Sequence, residues 1–357
     1  MTDKKLAWLI GIINIFLGVM PISAIRSFHR SSTARLPRIT TQLAYSPSHK
    51  KKYQLICPQL SSGPLRLYNE KFFKKHMLPN QDISYRYNSE KKVNSAILKK
   101  LVEELLKEIK AGKKKYTHFI ILQVKDFNVR KHCGLLVLKF KEYPFVLKLF
   151  METPKTFVST SSGIEPMFFF CMSEGVNRHL LGFTRIANKI EIEKRLQKNS
   201  LYANKIETPR KWYLLPNDPA WIQINAYNMP ESADFTITIP GIYGIIADYI
   251  ETEQKFSIFN GHDRTLALKL CNSLDLLIDP HITNFMVDAH TLKLVIVDTE
   301  HFPSVVGFKH KKQFTSYLGW YTHLANKAAH DIFFKSKHER LFPPMRAPEL
   351  WEFLFTI

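Results

Sequence analysis

Between Asn94 and Lys110 the apolar residues Ile97, Leu98, Leu101, Val102, Leu105, Leu106 and Ile109 recur at intervals of three and four, with Lys and Glu between them. That spacing gathers them on one stripe and predicts an amphipathic helix. From Thr117 the period shortens to that of strands, over residues 119–124, 135–140 and 145–150, the last two joined by the turn-like Lys141-Glu142-Tyr143-Pro144. Three successive strands predict an antiparallel sheet. Helical spacing returns from Asn188 to Lys198, and strands are predicted at 211–215, 221–226 and 242–250. A helix at 265–276 then precedes two short apolar segments, 285–287 and 294–297, around the turn Asp288-Ala289-His290-Thr291, and residues 312–334 read as helical again. Sheet, helix, sheet and then mostly helix is the order of an α+β protein of two lobes.

The first 25 residues differ from the rest. Behind Lys4 and Lys5 comes an uncharged stretch from Leu6 to Ile25 that ends in Pro21-Ile22-Ser23-Ala24. Basic, apolar and small-residue zones in that order predict a secretory signal over residues 1–24 and hence export; an uncleaved membrane anchor over residues 6–25 is the alternative. Residues 25–115 read as a basic leader, irregular up to about Lys92 and ending in the amphipathic helix. A sheet-bearing N-lobe over 116–251 and a short helical C-lobe over 252–357 follow.

Composition narrows the classes further. With 45% hydrophobic residues the chain can bury a core, which excludes a disordered chain. The four cysteines, Cys57, Cys133, Cys171 and Cys271, stand far apart and give neither a zinc spacing nor a dense disulfide framework. A formal charge of +20 comes partly from Lys50-Lys51-Lys52, Lys113-Lys114-Lys115 and Lys309-His310-Lys311-Lys312. These runs predict weak association with anionic surfaces, but no zinc-finger spacing, aromatic RNA-binding motif or basic zipper accompanies them, so no specific nucleic-acid partner follows.

The chemistry concentrates in residues 274–302. An Asp and an Asn five positions apart, Asp279 and Asn284, follow the predicted helix; Asp298 ends the second short strand, fourteen residues past Asn284. Phosphoryl transfer from a magnesium nucleotide uses such a set: one carboxylate takes the proton of the acceptor hydroxyl, while an amide oxygen and a second carboxylate hold the metal.

Asp279-Pro280-His281-Ile282-Thr283-Asn284 with Asp298-Thr299-Glu300 resembles the catalytic loop and metal-binding segment of the protein-kinase-like superfamily, in the branch that includes aminoglycoside and choline phosphotransferases and atypical kinases. The resemblance implies a two-lobed kinase-like fold, ATP and Mg2+ as cofactors, and transfer of the γ-phosphate to a hydroxyl of an acceptor that the sequence leaves open. Asp279 is then the catalytic base, and Asn284 and Asp298 are the magnesium ligands. Upstream, Lys148 in Phe145-Val146-Leu147-Lys148-Leu149-Phe150 resembles the strand lysine that grips nucleotide phosphates. Glu193, on the helix that follows, stands where its ion-pair partner belongs. The run from Tyr243 to Glu251 looks like the strand and hinge, with Asp248 and Tyr249 where adenine bonds to backbone groups.

The pattern is incomplete. Only Gly134 stands where a glycine-rich phosphate loop is expected, Leu277 replaces a customary His, and Glu300 replaces the usual Gly after Asp298. A catalytically impaired nucleotide- or protein-binding module is therefore an alternative. So is a metal-dependent phosphohydrolase using Asp279, His281, Asp298 and His301, and so is a purely structural role in which Asp279 and Asn284 brace a turn.

Overall fold

A computed structural model describes residues 40–44, 49, 51–61, 65–124, 127–157, 176–227, 234–302 and 313–323. All described residues belong to one compact unit within residues 40–357. The predicted signal or anchor lies outside the described residues, as do most of the loop after Thr153 and the chain beyond 323. Among the described residues no helix is long and apolar enough to cross a membrane.

Helices mix with mainly antiparallel strands in an α+β architecture. The largest sheet has the strands β5 (Phe119–Gln123), β6 (Phe127–Asn128), β7 (Cys133–Phe140), β8 (Phe145–Met151), β10 (Lys211–Leu214) and β13 (Ile242–Asp248), in the order β10-β13-β8-β7-β5 with β6 also on β7. Every pairing in it is antiparallel, with Lys148 between Val137 and Ile245. A second sheet runs β1 (Thr40–Ala44), β2 (Lys52–Ser61), β11 (Trp221–Tyr227) and β12 (Asp234–Ile239). A third joins β14 (Thr252–Lys255), β15 (Phe285–Asp288), β16 (Leu294–Ile296) and β9 (Ile206–Glu207), while β3 (Asp82–Ser84) and β4 (Lys92–Asn94) form a small ribbon.

The amphipathic stripe explains the largest core. Helix α2 (Ser95–Lys110) starts at Asn94, whose side chain accepts from the Ala96 N–H at 2.9 Å. Its buried Leu98, Leu101, Val102, Leu105, Leu106 and Ile109 share a cluster with Phe119, Leu136, Leu138, Phe145, Leu147 and Leu149 of the sheet. Each such side chain contributes about 1.5–3 kcal/mol on burial. The helix thus belongs to the sheet rather than to a leader. Nor is the segment before it irregular: it holds β1, β2, α1 (Glu70–Lys75), β3 and β4. The strand pattern in β2 went unread because Pro58 interrupts it, yet Leu55 is fully buried and β2 runs parallel to β11. The predicted strand at 221–226 accordingly joins this second sheet, not the main one.

A separate cluster lies under the third sheet. Ile192 and Leu196 of α5 (Thr184–Lys198), Ala267, Leu268, Leu270 and Cys271 of α6 (Gly261–Ser273), Ile278, Phe285, Ile296 and Trp320 form it. Helix α6 ends three residues earlier than its pattern suggests, because Asp275 and Leu276 adopt left-handed backbone with φ of 53° and 57°. Two short helices, α3 (Pro154–Phe157) and α4 (Val176–Gly182), were not legible as such, and of the predicted C-terminal helix only residues 317–323 are described and helical.

Candidate active site

Strand alternation fixes the direction of Lys148. Phe145, Leu147 and Leu149 point into the core against α2, so Val146 and Lys148 face the other side, each half-buried. There the Lys148 ammonium donates to Asp298 Oδ2 at 2.9 Å. Asp298 follows β16, whose hairpin with β15 is closed at its mouth by the Val297 N–H donating to the Asn284 carbonyl at 2.9 Å.

The left-handed turn at Asp275 and Leu276 brings the chain from α6 back toward that hairpin. Arg195 braces the turn, donating to Asp275 Oδ2 at 2.8 Å. Asp279 then receives the His281 N–H on Oδ1 at 2.9 Å and the Asn284 side-chain amide on the same oxygen. His281 itself shapes the following turn, its Nδ1 bonded with Thr283 Oγ1 at 2.7 Å. Burial pushes the Asp279 carboxyl up to about 7; the negative charges of Asp298 and Glu300 add to this, and the His281 N–H and Arg185 oppose it. Asp279 therefore lies within electrostatic reach of Asp298, Glu300 and Arg185.

Helix α5 supplies what the motif did not announce. Arg185 near its start donates to Asp298 Oδ1 and reaches Glu300 Oε2 at 3.2 Å. Its side chain is 4% exposed against 26% for Asp298 and 29% for Glu300, so the guanidinium sits behind the two carboxylates. Asn188, one turn on, donates to the carbonyls of Leu277 and Thr299 at 2.9 and 3.1 Å. Lys211 of β10 donates to Thr299 Oγ1 at 2.7 Å, and that hydroxyl donates to the Arg185 carbonyl at 2.6 Å. Burial alone would raise the Asp298 carboxyl, but Arg185, Lys148 and Lys211 together hold it well below the usual carboxylate range. Burial, reinforced by Arg185, lowers the Lys148 ammonium against the pull of Asp298.

Of the residues singled out from sequence, Lys148, Asp279, Asn284 and Asp298 come together. Glu193 does not join them. It binds Lys189 at 2.8 Å and accepts from Thr208 at 2.5 Å, because it lies eight residues, about 12 Å of helix, past Arg185. The side chain that α5 presents to Asp298 is a cation, not a carboxylate. Asp248 and Tyr249 are also committed elsewhere. The Asp248 carboxylate is held by Arg210 at 2.7 Å, its N–H donates to the Arg210 carbonyl at 3.2 Å, and the Tyr249 N–H donates to Pro144 O at 2.9 Å. The backbone N–H groups that the resemblance assigned to adenine are thus engaged within the protein.

Arg185, Asn188 and Lys211 were missed, and Glu300 was read only as a departure from the motif. A signal existed for the first two: they extend the Ile192 and Leu196 stripe of α5 toward its start, so polar side chains stand at core-facing positions. In place of a glycine-rich loop, β6 and β7 are joined by a tight turn in which Asn128 Oδ1 accepts from the N–H groups of Arg130 and Lys131 at 3.1 and 3.0 Å. Those N–H groups are not aimed at a ligand.

The donor chemistry of Asn284, Asp298 and Glu300, all hard oxygens, is that of a magnesium site. Their arrangement is not, since each oxygen of Asp298 and one of Glu300 already take a protein cation. Among the described residues no three His, Cys, Asp or Glu side chains group so as to hold a metal ion. That includes the hydrolase set: His301 is buried, which drives its imidazole down to about 3, and its backbone N–H donates to Thr184 Oγ1 at 3.2 Å.

No protein-family model matches this chain, and no curated protein or solved structure is significantly similar to it.

Proposed function

We propose that residues 116–302 form a two-lobed, protein-kinase-like unit that acts as a phosphotransferase, moving the terminal phosphoryl group of ATP to a hydroxyl acceptor. The contact between Lys148 and Asp298 carries this reading, because it joins the middle of the large sheet to the end of the hairpin that bears Asp279 and Asn284. Chain order supports it as well: β8, which carries Lys148, is followed by α5 and then by β10 and β13 of the same sheet.

Within this reading Lys148, with Arg185 and Lys211 behind it, faces the phosphates. Asp279 is suited to the base role, with Oδ1 filled by two donors and a carboxyl titrating near neutrality. The acceptor oxygen bonds to the γ-phosphorus as the bond to the bridging oxygen breaks; the hydroxyl proton passes to Asp279 and ADP leaves. ADP release by the full chain tests this. Asp279→Asn is expected to keep ATP binding and lose turnover by about 10²–10⁴-fold; undiminished turnover in that variant removes the assignment.

A second reading, a nucleotide- or protein-binding module without turnover, is favoured by the cations on both Asp298 oxygens and by the tight turn in place of a glycine-rich loop. ATP binding without ADP release in the wild-type chain selects it.

A further inference from the structure

On the kinase-like reading, on which this inference rests, the sequence resemblance makes Asp298 a metal-binding carboxylate; against that expectation the surroundings of Asp298 are unusual in a specific way. The Arg185 guanidinium contacts Asp298 through one terminal nitrogen and Glu300 through the other. Its Nε is buried without a hydrogen-bond partner, so the group is held by these two carboxylates and by packing, its Cζ 5.9 Å from the centre of the Phe150 ring. The helix that carries it is clamped to the same loop by Asn188, Thr184 and the Thr299 hydroxyl. A planar fork fixed at its base and joined to two carboxylates is geometrically committed.

We infer that Arg185 is the resident counter-ion of Asp298 and Glu300, standing where a divalent cation would stand, so that the wild-type chain holds no divalent cation in this cleft. Two protein cations, Lys148 and Arg185, already balance the two carboxylates. A divalent ion would have to displace one of them or bear its repulsion at close range. Arg185 is in these terms a positioning residue that acts through Asp298 and Glu300.

The probe is Mn2+ alone, followed by water-proton relaxation and electron paramagnetic resonance on the full chain. The wild type is expected to bind it only weakly. Arg185→Gln, which removes the competing charge and keeps a polar side chain, is expected to gain one site at least about tenfold tighter. Arg185→Gln combined with Asp298→Asn is expected to lose that gain. A merely structural arginine predicts the opposite sign, because loosening the loop scatters the ligands and weakens any metal site. No gain in Arg185→Gln overturns the inference, as does a single tight Mn2+ site in the wild type that Asp298→Asn removes. The wild-type measurement decides alone should Arg185→Gln fail to fold. A wild type that binds ATP and one tight Mn2+ keeps the functional reading and loses this one. A chain that binds no ATP but gains Mn2+ in Arg185→Gln does the reverse.

Discussion

Lys148 and Asp298 are 150 residues apart in the chain and meet at 2.9 Å, nitrogen to oxygen, with Arg185 on the other oxygen of the same carboxylate. One carboxylate therefore compensates two cations, neither of which is more than one-fifth exposed. Asp298→Ala strips Lys148 of its carboxylate and leaves Arg185 with Glu300 alone. Removing one partner of a buried pair costs about 3–5 kcal/mol; with Asp298 a quarter exposed, a loss of about 2–3 kcal/mol is expected in urea unfolding. Lys148→Met leaves Asp298 still paired to Arg185 and is expected to cost less. Equal losses in the two variants contradict the arrangement.

The raised Asp279 carboxyl makes a prediction about stability that has a definite sign. Its folded value, about 7, lies above the ordinary aspartate value, so between the two the native state binds the extra proton and the unfolded chain does not. The stabilisation is complete below pH of about 4 and is lost as pH rises to about 7. Asp279→Asn has no such proton. Its melting temperature relative to wild type is expected to be higher at pH 8 than at pH 5; a difference independent of pH shows that the carboxyl is not raised. The same titration predicts that wild-type turnover climbs with pH through about 7, since only the ionised carboxylate accepts the hydroxyl proton.

Arg86, between β3 and β4, links that ribbon to the large sheet and to the third sheet. It pairs with Glu207, with Asp288 at 3.3 Å and with Asp248 at 4.0 Å, and the neighbouring Tyr87 hydroxyl donates to Asp288 at 2.7 Å. The Glu251 N–H donates to that same hydroxyl at 3.2 Å, and the Tyr87 ring stacks on His290 at 4.0 Å. Arg86→Ala removes the counter-ion of the buried Asp288 carboxylate, which keeps its hydrogen bonds from Tyr87, His290 and Thr291, and is expected to cost about 2–4 kcal/mol, against about 1 kcal/mol for Tyr87→Phe. Hydrogen exchange is expected to speed up first at residues 248–251 and 286–290 in Arg86→Ala. Unchanged exchange there means the ribbon is only an appendage.

Gly182, the last residue of α4, is required for space. A Cβ added there would run into the Tyr243 hydroxyl and come within 2.8 Å of two Phe150 ring carbons. Tyr243 stacks on Phe183 at 4.3 Å, and its hydroxyl donates to the His179 carbonyl at 2.6 Å. Gly182→Ala is expected to cost about 1–3 kcal/mol by overpacking and Tyr243→Phe about 1 kcal/mol. The double variant is expected to lose less than the sum, because removing the hydroxyl relieves part of the clash. Strict additivity contradicts the contact.

Much of the large sheet and of α2 was legible because the signals there are local: a stripe at intervals of three and four, and alternation bounded by Pro144 and Gly134. The convergence of Lys148, Asp279, Asn284 and Asp298 was legible only through a motif, since nothing local joins residues 148 and 298. What escaped had identifiable causes. Pro58 broke the pattern of β2, and Trp221 to Tyr227 gave no sign that its partner would be β2 rather than β13. Glu193 carried the expected charge on the expected helix but two turns too late; Arg185 carried the opposite charge at the position that faces Asp298. The commitment of Asp248 to Arg210 depends on β10 lying beside β13, a pairing that no single segment reveals.

The claim that this cleft receives nucleotide phosphates against Lys148 is tested most directly by titrating the full chain with a fluorescent ATP analogue and competing it with unlabelled ATP, for wild type and Lys148→Met. Saturable, competed binding in the wild type, weakened about tenfold or more in Lys148→Met, is the predicted result. No saturable binding in the wild type, or equal affinity in the variant, contradicts it.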